Sequence, residues 1–63
     1  GDGFAEHEYL VPHERYDLVA RLRREGSIRK EEPQDEGTFI VAVPSSPMIP
    51  KMETFRARNG NAP

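Results

Sequence analysis

The sequence feature that most constrains the fold is one apolar run, Thr38-Phe39-Ile40-Val41-Ala42-Val43. Its side chains are β-branched or apolar on both faces of an extended chain, which is typical of a strand inside a sheet. Pro44 ends the run, because proline cannot donate a backbone hydrogen bond to a neighbouring strand. We therefore expect residues 38–43 to form a central strand that is covered on at least one face.

Two weaker patterns supply neighbours for this strand. Residues 6–11 alternate weakly and then turn apolar, and Pro12 ends them. Residues 27–32 contain one apolar side chain, Ile28, which is typical of a solvent-facing edge strand. The segment Pro33–Gly37 then has proline early and glycine late, as turns do. It predicts a hairpin between the edge strand and the central strand.

Between the first two strands the pattern takes a helical period. Leu18, Val19 and Leu22 lie on one side of a helix drawn at about 100° per residue, and charged residues occupy the other side: Asp17, Arg21, Arg24 and Glu25. Gly26 follows, where a left-handed residue commonly ends a helix. We expect one amphipathic helix over residues 13–25, supported by an Asp17–Arg21 ion pair.

This order predicts a small α+β module, β-α-β-β, with one helix packed on a three-stranded sheet. We assign residues 6–44 to the module, residues 1–5 to a flexible lead-in or expression remnant, and residues 45–63 to a partly ordered, Pro-rich tail. The second face of the central strand stays partly apolar. We expect a preceding domain, the tail or a second copy of the chain to cover it.

The tail itself has two parts. Three prolines within Pro44–Pro50 predict an extended path that excludes a helix. Residues 51–58 could form one short element, and residues 59–63 should fray. Four apolar side chains offer enough surface to pin the tail to the sheet: Met48, Ile49, Met52 and Phe55.

Size and composition limit the chemistry of the chain. With 63 residues, 35% of them hydrophobic, and no cysteine, the chain can form at most one small domain without disulfides or thiolate metal sites. Its apolar runs fall short of the roughly 18 to 20 residues that cross a bilayer. A net charge of −2 gives no bulk attraction to nucleic acid or membranes. We expect a soluble, cytoplasmic chain with no membrane partner.

The motifs that mark catalytic or cofactor sites are missing from the sequence. There is no GxxxxGK[ST] phosphate loop, GxGxxG turn, HExxH pair or cysteine nucleophile. Gly1-Asp2-Gly3 lacks the strand and the lysine that a phosphate loop needs, so a flexible end is the favoured interpretation. We predict no catalytic residue and no cofactor-binding residue.

Two clusters of titratable residues invite a functional interpretation and do not support one. His7 and His13 have neighbouring glutamates, but their spacing around Pro12 is poor for a zinc site, so we predict no metal ligand. The carboxylate pairs Glu31-Glu32 and Asp35-Glu36 lack the cleft that acid–base catalysis needs. We expect them at a solvated hairpin tip.

Six of the nine basic residues fall within residues 15–30. Four of them could together meet RNA phosphates from the helix exterior and the edge strand: Arg21, Arg24, Arg29 and Lys30. Only Tyr16 lies nearby as an aromatic, which argues against stacking on bases. A solvated, ion-paired face is the alternative, and the pattern favours it over a ribosome contact.

Between residues 8 and 44 the chain carries a series of short motifs in a fixed order. They are Val11-Pro12-His13-Glu14-Arg15-Tyr16-Asp17-Leu18-Val19-Ala20-Arg21-Leu22-Arg23-Arg24-Glu25-Gly26, then Ile28 with Glu31-Glu32, then Glu36-Gly37-Thr38 and Val41-Ala42-Val43-Pro44. This order of motifs resembles the segment that closes HflX-type ribosome-associated GTPases. The chain departs from that family at Arg23, where many relatives have histidine, and in its longer tail.

The resemblance implies a non-catalytic C-terminal accessory domain, ferredoxin-like or similar to an elongation-factor domain. Its partners would be the parent G domain, which would hold GTP and magnesium, and the large ribosomal subunit. The alternative is a stand-alone interaction module that uses an exposed sheet face or the strand at residues 27–32.

Overall fold

A computed structural model describes residues 5–57 of the chain. The main elements are β1 (His7–Pro12), α1 (Tyr16–Arg24), β2 (Ile28–Pro33), β3 (Gly37–Ala42) and α2 (Ile49–Met52). Short 3-10 turns at His13–Arg15, Ser46–Met48 and Glu53–Phe55 connect to the two helices. Residues 1–4 of the expected lead-in at 1–5, which include the Gly1-Asp2-Gly3 segment, and the expected fraying end at 59–63 lie outside the described residues.

The three strands form one antiparallel sheet in the order β1-β3-β2. The apolar run therefore lies at the centre, as its composition predicts, and the α+β class is confirmed. Since β3 is antiparallel to both neighbours, β1 and β2 run parallel to each other with β3 between them. This arrangement is a split β-α-β unit, the element from which ferredoxin-like folds are built.

The sheet has one closed face and one open face. Residues opposite each other in the strand register share a face. The inner face carries Tyr9, Val11, Thr38, Ile40 and Ala42, all nearly or completely buried. The open face carries Glu8, Leu10, Lys30, Glu32, Phe39 and Val41, of which the three apolar residues are only partly buried.

Helix α1 packs on the inner face through the three residues that its period indicates, Leu18, Val19 and Leu22. It ends in a Schellman motif, in which Ser27 N–H donates to the carbonyl of Leu22 at 3.0 Å and Gly26 N–H donates to that of Arg23 at 3.1 Å. Gly26 has a φ of 79°, as the sequence predicts for a left-handed terminal residue. The first turn is 3-10, so the α-helix begins at Tyr16.

The segment after Pro44 differs from the extended path that its prolines suggest. It forms helical turns, with Pro47 and Pro50 in first-turn positions. Proline is tolerated there because the N–H groups of a first turn have no partner within the helix. Met48 and Met52 are fully buried in the same apolar cluster as α1, and Phe55 packs against that cluster. The described tail therefore completes the inner side and leaves the open face uncovered.

The last described residues begin a fourth strand position beside β1. Ala57 N–H donates to the carbonyl of Glu8 at 2.8 Å, and Arg56 forms an isolated antiparallel bridge with Tyr9. The hydroxyl of Tyr9 is buried there without a hydrogen-bond partner in residues 5–57. Burial raises the pKa of this phenol, and the charge of Arg56 opposes that shift. Within the same range, no helix is long and apolar enough to span a membrane.

Candidate functional site

The four candidate basic residues lie on two different elements of the structure. Arg21 and Arg24 lie on exposed positions of α1, which covers the inner face. Lys30 lies opposite Val41 and so belongs to the open face. Arg29 is the extra residue of a bulge between Ile28 and Lys30. Two candidates therefore lie on the helical side of the sheet and two lie on strand β2.

The two residues on β2 already have carboxylate partners. Arg29 lies 3.9 Å from Glu6 and also donates to the carbonyl of Gly26 at 3.3 Å. The ammonium nitrogen of Lys30 lies 3.4 Å from a carboxylate oxygen of Glu32, and both side chains are exposed. Such surface pairs contribute only about 0 to 1 kcal/mol, but they partly neutralise the charges that would attract a phosphate. This half of the basic cluster matches the ion-paired alternative.

The two residues on α1 are different. In the described range neither Arg21 nor Arg24 has a carboxylate within ion-pair distance. The prediction of an Asp17–Arg21 ion pair is wrong, because the Asp17 carboxylate instead lies 3.0 Å from the guanidinium of Arg15. Lys51, on the second helix, also lacks such a partner within residues 5–57. These cations are the ones that an anion approaching the helices would meet.

Arg23, the position that departs from the resembling family, ties the helix to the sheet. Its guanidinium donates to Tyr16 Oη at 2.7 Å and to Glu31 Oε2 at 2.5 Å. These bonds, to Glu31 first and then to Tyr16, raise the pKa of Arg23. Glu31 lies opposite Ile40 and so on the inner face, rather than at the hairpin tip where we expected it. The sequence pattern alone gives no signal for this three-residue contact.

Glu25, at the end of α1, joins three segments that are distant in sequence. Its carboxylate accepts hydrogen bonds from the hydroxyl of Ser27, which is buried, and from Ser45 through both N–H at 3.0 Å and Oγ at 2.9 Å. Partial burial acts to raise the pKa of Glu25, but the bonds from Ser27 and Ser45 outweigh it and lower the pKa. The contact fixes the start of the tail against the helix end.

This lowered pKa predicts a pH-dependent contribution of Glu25 to stability. A carboxyl group with a depressed pKa in the folded state stabilises the fold above its unfolded-state pKa, and the contribution disappears as the pH falls through the folded-state value. We therefore expect Glu25→Gln to be less stable than the unsubstituted chain at pH 7 and equally stable at strongly acidic pH. Urea unfolding across pH checks this. Glu14→Gln, at an exposed residue without these bonds, is the matched control. A Glu25→Gln deficit that persists unchanged in acid would contradict it.

The remaining sequence candidates are separated in the structure. His13 Nε2 lies 2.9 Å from the backbone oxygen of Asp35, so this histidine links the start of the helix to the β2–β3 turn. His7 packs edge-on against Tyr9. Across residues 5–57 no three His, Asp or Glu side chains are grouped as metal ligands would be. His7 also lines a shallow cleft of about 250 Å³ with Glu6, Glu8, Val41, Arg56 and Ala57.

Comparison with known proteins adds one significant similarity. The chain is 39% identical over 49 residues to the protein named GTPase HflX from Akkermansia muciniphila. No family model matches the chain, and no solved structure matches it significantly. The aligned segment covers 78% of this chain but only 11% of the relative. The chain is thus similar, over most of its own length, to a small part of a GTPase HflX.

Proposed function

We propose that the chain is a non-catalytic accessory domain of a cytoplasmic, HflX-like GTP-binding protein, where it closes the polypeptide and contacts the G domain and the ribosome. The observation that carries this proposal is the alignment to a protein named GTPase HflX. Because the 49 aligned residues are far more than any single helix or strand contains, the similarity extends over several elements of the fold.

We propose an accessory role because the loop between β1 and α1 lacks the features that bind a nucleotide. GTP and magnesium need a glycine-rich loop between a strand and a helix, with a lysine and a hydroxyl residue after it. Here the connection from β1 to α1 is Pro12 followed by one 3-10 turn, His13–Arg15. These residues do not fit a triphosphate. Nucleotide binding and hydrolysis would therefore belong to a separate G domain of the parent protein.

A ribosome contact would use cationic side chains that are available to phosphates. All four sequence candidates remain part of this proposal: Arg21, Arg24, Arg29 and Lys30. The geometry gives the greater weight to Arg21 and Arg24, because Arg29 and Lys30 are held by Glu6 and Glu32. The large ribosomal subunit is the proposed partner, since its surface presents a dense array of RNA phosphates.

Reversing the charge of Arg21 and Arg24 in the full-length parent should weaken ribosome binding. We expect Arg21→Glu with Arg24→Glu to lower the affinity about tenfold or more. The slope of log affinity against log salt should fall by about 1.4 to 1.8, because each phosphate contact contributes roughly 0.7 to 0.9. Co-sedimentation with large ribosomal subunits at several salt concentrations measures both quantities.

The matched control is Arg29→Glu with Lys30→Glu, which changes the net charge by the same amount on strand β2, where both cations have carboxylate partners. We expect it to change the affinity less. Equal losses from the two double variants would point to overall charge rather than a helical contact face. Unchanged affinity and salt slope in both would remove RNA contact from the proposed function.

The second candidate function is a stand-alone protein-interaction module, and the open sheet face favours it. Strand addition at β2 is the weaker form of this candidate, because a bulge, charged side chains and Pro33 occupy that edge. The native reading frame separates the two functions. A G domain encoded in the same frame supports the accessory role, whereas a native protein of about this length supports the module.

A further inference from the structure

The open face of the sheet has apolar residues at its centre and charged residues on its outer strands. The middle strand, β3, contributes Phe39 and Val41, and Leu10 of β1 lies opposite Phe39. These three side chains are only partly buried in the described part of the chain. Glu8 on β1 and Lys30 on β2 lie on either side of Val41. An apolar centre with a polar rim is typical of a surface that contacts another protein surface.

The described residues of the chain pack on the other side of the sheet. Helix α1 and the buried Met48 and Met52 belong to the apolar cluster of the inner face. The aligned segment is only 11% of the GTPase HflX relative, so most of such a polypeptide lies outside it. A parent protein of this kind therefore has ample further chain that could cover the open face.

The area of the open face indicates which kind of partner it suits. Three strands of six residues, spaced about 4.8 Å apart with about 3.4 Å per residue, present roughly 300 Å². Because both partners lose surface, the contact would bury roughly 600 Å² in total, at the lower end of the roughly 600 to 1,500 Å² found between domains of one chain. A standard interface between separate proteins buries roughly 1,600 Å². The face is therefore large enough for a neighbouring domain and too small for a free partner.

We propose that the G domain of the parent protein packs on the open face, with Phe39 and Val41 at the centre of the contact. This packing rests on the proposed function, because it requires a parent that carries a G domain. A covalent link between two domains gives an effective concentration on the order of 1 mM, so a contact too small to hold a free protein is sufficient for a tethered one. The small area thus selects a domain of the same polypeptide over a second copy of the chain.

This packing leaves the helical side of the domain available to the ribosome. Helix α1 covers the inner face, so its exposed Arg21 and Arg24 lie on the side of the sheet away from Phe39 and Val41. Neither arginine has a carboxylate partner within residues 5–57. The domain would hold the G domain through its sheet and RNA phosphates through its helix at the same time.

Thiol labelling of single-cysteine variants of the full-length parent tests this packing, since the 63 residues contain no cysteine of their own. Val41→Cys reports on the open face. Ala20→Cys, on α1, is the matched control, because both positions are partly buried in the described residues. Each rate of labelling by N-ethylmaleimide is divided by the rate for the urea-unfolded parent, and mass spectrometry identifies the labelled peptide. Val41→Cys should be protected about tenfold more than Ala20→Cys, because a covered thiol reacts only while the contact is open.

Leu10→Cys repeats the measurement at a second position of the open face, in case Val41→Cys disturbs the sheet. In a parent that carries a G domain, equal protection of the open-face and Ala20→Cys thiols would overturn the packing and leave the accessory role intact. Protection that is lost on dilution from about 100 μM to about 1 μM protein would also overturn it, because the occupant would then be a second molecule. A native reading frame without a G domain would instead overturn the proposed function, and the packing with it.

Discussion

Replacing Met48 and Met52 together by alanine should leave the chain largely unfolded at 25 °C. Both side chains are fully buried in the apolar cluster that also contains residues of α1 and of the inner face of the sheet. Truncating a buried methionine to alanine costs about 2 to 5 kcal/mol. A domain of this size has a total stability of roughly 3 to 9 kcal/mol. The two losses together are of the same order as the whole free energy of unfolding.

Thermal and urea unfolding followed by circular dichroism measure this effect. Each single substitution should lower the midpoint, and the double variant should lack a cooperative transition. Ile49→Ala is the matched control, because Ile49 lies next to Met48 but is 37% exposed. A double variant as stable as the Ile49→Ala chain would mean that the tail is not part of the core.

Gly37→Ala should be the most damaging small substitution in the chain, with an expected cost of about 3 kcal/mol or more, at or above the usual range for overpacking. Gly37 is buried at the start of β3 and lies opposite Pro12 of β1. A Cβ at this position would collide with the backbone carbonyl of Val11 and lie 2.9 Å from Cα of Pro12. Two paired strands would have to separate, because neither contact is with a flexible side chain.

Gly26→Ala provides the comparison. Gly26 has open space around it, so its substitution costs only the strain of a left-handed backbone, about 1 to 2 kcal/mol. Urea unfolding of the two variants should therefore rank Gly37→Ala well below Gly26→Ala. The reverse order would show that the start of β3 can move away from β1 at little cost.

The elements with strong local patterns could be predicted from the sequence. The apolar period of α1 and the run that became β3 are confirmed, with strand ends shifted by one residue. The tail could not be predicted, because Pro47 and Pro50 break helices in the interior but fit the first turn. The direction in which that tail folds back depends on the buried Met48 and Met52, whose contacts are not local.

The candidate site was predicted only in part, for a similar reason. The clustering of basic residues in the sequence identifies Arg21, Arg24, Arg29 and Lys30. Which of them have no carboxylate partner depends on the side chains that the fold brings next to them. Arg29 finds Glu6 across the sheet. The contact of Glu25 with Ser45 joins residues 20 positions apart, and no local pattern marks it.

The position of β3 in the sheet also determines when the domain can fold during synthesis. His7 pairs with Ala42, and Ile28 pairs with the same residue from the other side. Neither β1 nor β2 has a strand partner until β3 has been made, and the two buried methionines follow later still. The β2–β3 hairpin closes only a short turn, but pairing Pro12 of β1 with Gly37 of β3 closes a long loop that includes the helix, which is entropically costly. We expect the nascent chain to stay unfolded through most of its translation and then to fold in one late, cooperative step.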